Sequence, residues 1–143
     1  MTTKDAKQPL VLIVDDDESI RRAERRILEG AGYRVIEASN GSEGLVRLAE
    51  APSLDLLLAD LEMPELAGEE MVSRIRPARP ELKVLYVTGH IDQLMNERPV
   101  LWEGEAFLDK PFSVTGLLEA VSMLLYGQLN THPPKIDPHK FSG

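Results

Sequence analysis

The sequence predicts an α/β fold: one doubly wound parallel sheet of five strands, with helices on both faces. Three observations lead there. Short apolar segments alternate five times with stretches of helical periodicity. The apolar segments are continuous in hydrophobicity, the pattern of strands buried on both faces. The chain has 143 residues and 43% hydrophobic composition, which suits one compact core and leaves little for a second. Repeated strand–helix alternation implies crossover connections, and hence parallel strands.

Each element has its own signal. Residues 10–14 are apolar and form the first strand. A stripe of Ile20, Ala23, Ile27, Leu28 and Ala31 follows, with Asp17 or Ser19 as its cap and Gly30 and Gly32 as stops. Residues 34–38 are the second strand, and 43–51 a helix opened by Asn40-Gly41-Ser42 and closed by Pro52. Residues 54–59 make the third strand, 69–75 a helix ended by Pro77, and 83–87 the fourth strand. Between His90 and Gly104, Ile91, Leu94 and Met95 fit one or two helical turns, which Pro99 interrupts. Residues 106–108 are the fifth strand. Val114, Leu117, Leu118, Val121, Leu124 and Leu125 form the last stripe, with Gly127 after it. The expected organisation is a domain over 9–127, a flexible N-terminus over 1–8 and a flexible tail over 128–143.

Composition narrows the function. The chain has no cysteine, which removes disulfides, thiolate metal sites and cysteine nucleophiles together. The longest apolar runs, at 9–14 and 56–59, fall far short of the ~20 residues of a membrane helix. Residues 1–8 lack the apolar stretch of a secretory signal, so a soluble cytoplasmic protein is expected. The net charge of −8 argues against general binding to nucleic-acid phosphates. Arg21, Arg22, Arg25 and Arg26 alternate with Glu24 and Glu29, which reads as a solvated helix face.

In open parallel sheets, ligands bind beyond the carboxyl ends of the strands. Those ends carry Asp15-Asp16-Asp17, Asp60, Thr88-Gly89 and Asp109-Lys110-Pro111; only the second strand, ending at Ser39-Asn40, offers no group suited to chemistry. Two carboxylates ~5 Å apart repel by roughly 3 kcal/mol at an effective dielectric of 20. A hard divalent cation removes that penalty, and all-oxygen ligands select Mg2+, with Mn2+ as the alternative. The added hydroxyl and ammonium suit the remaining oxygens of a phosphoryl group. Each piece alone also has an ordinary reading as a helix cap, a turn or a surface lysine.

Together, the motifs Val11-Leu12-Ile13-Val14-Asp15-Asp16-Asp17, Leu56-Leu57-Leu58-Ala59-Asp60-Leu61-Glu62-Met63-Pro64 with Gly68, Val84-Leu85-Tyr86-Val87-Thr88-Gly89 and Phe107-Leu108-Asp109-Lys110-Pro111-Phe112 resemble the receiver domain of two-component response regulators, of the chemotaxis-regulator type. The resemblance covers Leu10 to Tyr126. It implies the flavodoxin-like strand order 2-1-3-4-5. It implies that Asp60 is the phosphoacceptor, served by a histidine kinase or its phosphotransfer domain. Asp15, Asp16, Asp60 and the backbone carbonyl of Glu62 would hold the Mg2+. Thr88 would be the switch hydroxyl, Lys110 the phosphoryl-pairing ammonium, and Phe107 the switch aromatic. The Lys110–Pro111 bond is expected cis. The only enzymatic activity implied is the domain's own phosphorylation and dephosphorylation, and the downstream partner would be a protein, with the domain a monomer or weak homodimer.

The sequence departs from the family pattern in places. Ala67 stands where an acidic residue is common, and Phe107 replaces a tyrosine. Glu62 and His90 occupy positions that tune phosphoryl lifetime, although His90 also reads as an exposed helix-start residue. Residues 92–104 are atypical and resemble receivers attached to hybrid sensor histidine kinases; there Trp102 reads either as a partner contact or as packing on the sheet edge. With no room for an effector domain after Gly127, either a stand-alone receiver or the terminal receiver of a hybrid kinase is expected. Two rivals stand beside this reading. A haloacid-dehalogenase-type phosphohydrolase would use Asp15 as nucleophile and Asp17 as acid/base, but it needs an acidic pair on a strand beyond Lys110. A phosphorylation-independent interaction module would have no use for the assembled site residues.

Overall fold

The computed structural model describes residues 8–90 and 104–127. Readings that fall on 1–7, 91–103 and 128–143, including the turns at Ile91, Leu94 and Met95, Trp102 and the tail, lie outside the described residues. The elements are β1 (Leu10–Val14), α1 (Glu18–Gly30), β2 (Arg34–Ala38), α2 (Gly41–Glu50), β3 (Leu56–Asp60), α3 (Gly68–Ile75), β4 (Lys83–Thr88), β5 (Glu105–Asp109) and α4 (Val114–Tyr126). All strand pairs are parallel, in the order β2-β1-β3-β4-β5.

Alternation along each central strand explains why the sequence shows unbroken apolar runs. Leu12, Val14, Leu57, Ala59, Val84 and Tyr86 point to one face, where Leu48 of α2 and Met71 and Val72 of α3 cover them. Val11, Ile13, Leu56, Leu58, Leu85 and Val87 point to the other, against Leu28 of α1 and Leu117 and Val121 of α4. Fully burying such a side chain contributes about 1.5–3 kcal/mol, so a one-residue register slip would be costly on either face.

The expected β1 and β2 match the observed bounds, and the other elements differ by a residue or two at their ends. Asp60 and Thr88 close their strands rather than follow them. Asp17 is the cap of α1, accepting from the amides of Ser19 and Ile20 at 2.8 and 3.1 Å. Asn40 caps α2 through the Glu43 amide, and Glu43 reaches back past the cap to accept from the Ser39 amide and hydroxyl.

Several expectations about helix faces need correction. Glu24 is not on a solvated face but is 1% exposed, whereas Ala23 and Ala31, assigned to the buried stripe, are exposed, Ala31 being the cap beyond the helix end. The line Ile20–Glu24–Leu28, with four-residue steps, is the one that turns inward. Val114, at the start of the last stripe and the first residue of α4, is also exposed. Among the arginines, Arg21 and Arg25 are engaged rather than free, both pairing with Glu37 of β2.

Candidate functional site

Strand order places β1 and β3 side by side, with β4 beyond them and β5 outermost. Register aligns Asp60 with Val87 and Thr88 with Asp109, so the strand ends open onto one rim. The rim gathers the expected residues. Asp15 follows β1, its amide donating to the Ala38 carbonyl at 3.2 Å. Its Oδ1 accepts from the Asp17 amide at 2.8 Å. Its Oδ2 is buried with no hydrogen-bond partner among the described residues. Carboxylate oxygens of Asp15, Asp16 and Asp60 all lie within 4.8 Å of one another, with Asp15 and Asp60 buried and Asp16 exposed.

Asp60 is held from two sides. Its Oδ1 accepts from the Glu62 amide at 3.0 Å, and its Oδ2 from Lys110 Nζ at 3.1 Å. Lys110 is delivered by its own backbone: its amide donates to the Thr88 carbonyl at 2.8 Å, and its peptide bond to Pro111 is cis, as expected. The loop after Asp60 fits closely. A Cβ at Gly68 would lie 2.6 Å from the Asp60 carbonyl oxygen, so α3 can begin there only with glycine. The same loop turns at Glu65, whose φ of 71° lies in the left-handed region.

The electrostatics follow from this crowding. Burial pushes the Asp15 carboxyl up to about 6, a rise opposed by the Asp17 amide and reinforced by the Asp60 charge. Burial also raises Asp60, although the Glu62 amide and Lys110 pull the other way. Burial disfavours the Lys110 ammonium, but the hydrogen bond and charge of Asp60 outweigh it and leave the group above its ordinary value. An orphaned buried oxygen amid three convergent carboxylates is what a divalent cation would satisfy, so the donor set fits Mg2+.

Thr88 is buried, yet its hydroxyl does not reach Asp60. It donates to Glu62 Oε2 at 2.5 Å and accepts from the His90 amide at 3.0 Å. His90 Nδ1 lies 2.8 Å from the same Glu62 oxygen. Phe107 is half-buried and stacks on its register neighbour Tyr86, ring centroids 5.3 Å apart at 26°. Asp17 spends its carboxylate on the α1 cap, which leaves it unsuited to the acid/base role of the dehalogenase-type reading.

Two features escaped the sequence reading. One is the bond from Thr88 to the Glu62 side chain, a residue expected to lend its backbone carbonyl to the metal and to tune phosphoryl lifetime but not to hold the switch hydroxyl. The other is Glu24, whose carboxyl is pushed up to about 9 by burial first, then by the Asp15 and Asp60 charges, against Lys110 and Arg21. Its Oε1 has no hydrogen-bond partner among the described residues. The four-residue step from Ile20 to Leu28 was the available signal for its burial.

Residues 11–122 match the family model of the response regulator receiver domain. The chain belongs to that family. Among curated relatives, this receiver domain is 34% identical over 115 residues to the response regulator receiver protein CpdR of Brucella abortus, covering 80% of this chain and 95% of CpdR. It is 31% identical over 119 residues to the sensor kinase CckA of the same organism, covering 82% of this chain but 13% of the kinase. Among solved structures, response regulator protein TrrA of Thermotoga maritima, in complex with Mg(2+)-BeF, superimposes with a TM-score of 0.71 at 30% identity, covering 82% of this chain and 100% of TrrA. Receiver domains act in two-component signalling, and that is the class of this chain. No helix among the described residues is long and apolar enough to cross a membrane.

Proposed function

We propose that this receiver domain is a phosphorylation switch in which Asp60 takes a phosphoryl group from the phosphohistidine of a histidine kinase or its phosphotransfer domain. The functional unit is residues 9–127. The observation that carries the reading is the partnerless Asp15 Oδ2 inside the Asp15–Asp16–Asp60 cluster, beside an acceptor already paired with Lys110.

Asp15, Asp16, Asp60 and the Glu62 carbonyl would hold Mg2+, or Mn2+ in its place. Such an ion, when bound, offsets the charge of the carboxylates and of the incoming phosphoryl oxygens. Asp60 supplies the nucleophile: a carboxylate oxygen forms a bond to phosphorus as the P–N bond of the donor breaks, and the imidazole leaves with the electron pair. The Glu62 amide fixes the carboxylate orientation, and the Lys110 ammonium stays within reach of a phosphoryl oxygen. The product carries more acceptor oxygens than the carboxylate it replaces, which draws in the Thr88 hydroxyl. The space Thr88 leaves lets Phe107 turn inward, biasing the β4–β5 face between two packings. The domain thereby catalyses its own phosphorylation and dephosphorylation.

The test is intact-mass measurement after incubation with Mg2+ and acetyl phosphate. Wild type should gain one phosphoryl group; Asp60→Asn and a chelated sample should gain none. Gain that survives Asp60→Asn, or none with either acetyl phosphate or a phosphohistidine donor, overturns the reading.

A further inference from the structure

We propose that the Glu62 side chain is a positioning residue that sequesters the Thr88 hydroxyl in the unphosphorylated protein, so that phosphorylation must take this hydroxyl from Glu62; the proposal rests on Asp60 being the phosphoacceptor.

A threonine hydroxyl has one proton to donate. Here that proton is committed to Glu62 Oε2 at 2.5 Å, within the range of hydrogen bonds to ionised carboxylates. Thr88 therefore cannot donate to a phosphoryl oxygen on Asp60 until it lets go of Glu62. The hydroxyl oxygen is also engaged, accepting from the His90 amide, while the His90 ring meets the same Glu62 oxygen at 2.8 Å. One carboxylate oxygen thus gathers the side chains of both Thr88 and His90 at the end of β4. The Glu62 carboxyl is held below its ordinary range: burial opposes this, but Thr88, His90 and the Gly89 amide outweigh it.

Glu62 touches both halves of the device. Its amide orients the Asp60 carboxylate, and its side chain restrains the switch. Activation is consequently an exchange, one charge-assisted hydrogen bond broken for one formed. Only the difference between the two remains to move Phe107. A neutral residue without an acceptor at position 62 would leave the whole of the new bond available.

The experiment is a double-mutant cycle on Mg2+-beryllofluoride affinity, followed by fluorine NMR, across wild type, Glu62→Met, Thr88→Ala and the double variant. Methionine keeps the length of the side chain and removes both oxygens. With Thr88 present, Glu62→Met should tighten binding about tenfold, the worth of a charge-assisted hydrogen bond. In the Thr88→Ala background the gain should largely vanish. Glu62→Gln, which keeps an acceptor but not the charge, should fall between. The His90 amide resonance, which reports on Thr88 Oγ1, should move in ligand-free Glu62→Met in the direction that saturating beryllofluoride moves it in wild type. Equal tightening in both Thr88 backgrounds would show a diffuse charge effect and overturn the proposal, as would no tightening or an unmoved His90 resonance. Wild type that binds Mg2+-beryllofluoride yet shows no coupling defeats this inference alone. Wild type that neither binds it nor takes up phosphate defeats the phosphorylation reading, and this one with it.

Discussion

Replacing Glu24 by glutamine removes a titratable group from the buried stripe of α1 while preserving its volume. The native carboxyl sits near 9 and the unfolded one near 4.5, with burial the principal cause and Asp15 the next. Because the folded value is the higher one, the unfolded chain releases its proton first as pH rises. The stability associated with this group is therefore fully present below about 4.5, declines through the neutral range, and levels off above about 9. At pH 7 the unfolded group is about 2.5 units past its midpoint and the folded one is still protonated, a cost of about 3 kcal/mol at 1.36 kcal/mol per unit. Glutamine carries no such slope. The stability difference between Glu24→Gln and wild type should grow by about 1.4 kcal/mol per pH unit between roughly pH 5 and 8.5. Near pH 4.5 the two should be almost equal, since both then bury a neutral polar group. For a domain of this size, the gain at pH 7 corresponds to a melting temperature higher by about 10 °C. Denaturant and thermal unfolding of both proteins over that pH series measure it. A difference that stays flat with pH, or a variant less stable than wild type at pH 7, would refute the assignment of Glu24 as a buried neutral acid.

Further outcomes follow from the loop and the carboxylate cluster. Glu65→Gly relieves a left-handed backbone and should stabilise the domain by about 0.5–1 kcal/mol, read as a rise in melting temperature. Gly68→Ala puts a methyl group 2.6 Å from the Asp60 carbonyl oxygen; it should cost about 1–3 kcal/mol and slow phosphoryl acceptance from acetyl phosphate. With the Asp15 carboxyl near 6, Mg2+ must displace a proton at lower pH, so the Mg2+-induced rise in melting temperature should be full above pH ~7 and shrink steadily below ~6. An Mg2+ effect independent of pH would exclude Asp15 as a ligand.

The parts legible in the sequence were those in which pattern and packing coincide. Leu10–Val14 stood out as a continuous apolar run and Arg34–Ala38 as a short segment built on Val35, Ile36 and Ala38, and both are strands with those bounds. The convergence of Asp15, Asp60 and Lys110 followed from parallel topology, because every strand delivers its carboxyl end to one rim. Glu24 was misplaced because charge was read as exposure. Its helical phase, in line with Ile20 and Leu28, outweighed its polarity, and burial is accommodated by a shifted protonation equilibrium. The Glu62 side chain posed a different difficulty. Its reach to Thr88 depends on a rotamer chosen across two strands, a choice that no spacing along the chain encodes.

The bond from the Lys110 amide to the Thr88 carbonyl also bears on how a signal leaves the site. It fastens the last peptide of β4 to the first one past β5, so the two strand tips form a single splint that carries hydroxyl and ammonium together. A substitution at either group is therefore expected to shift the backbone of both strand tips rather than only the one that carries it. A reporter attached at exposed Asp109, paired with Thr88 in register, would hear events at both.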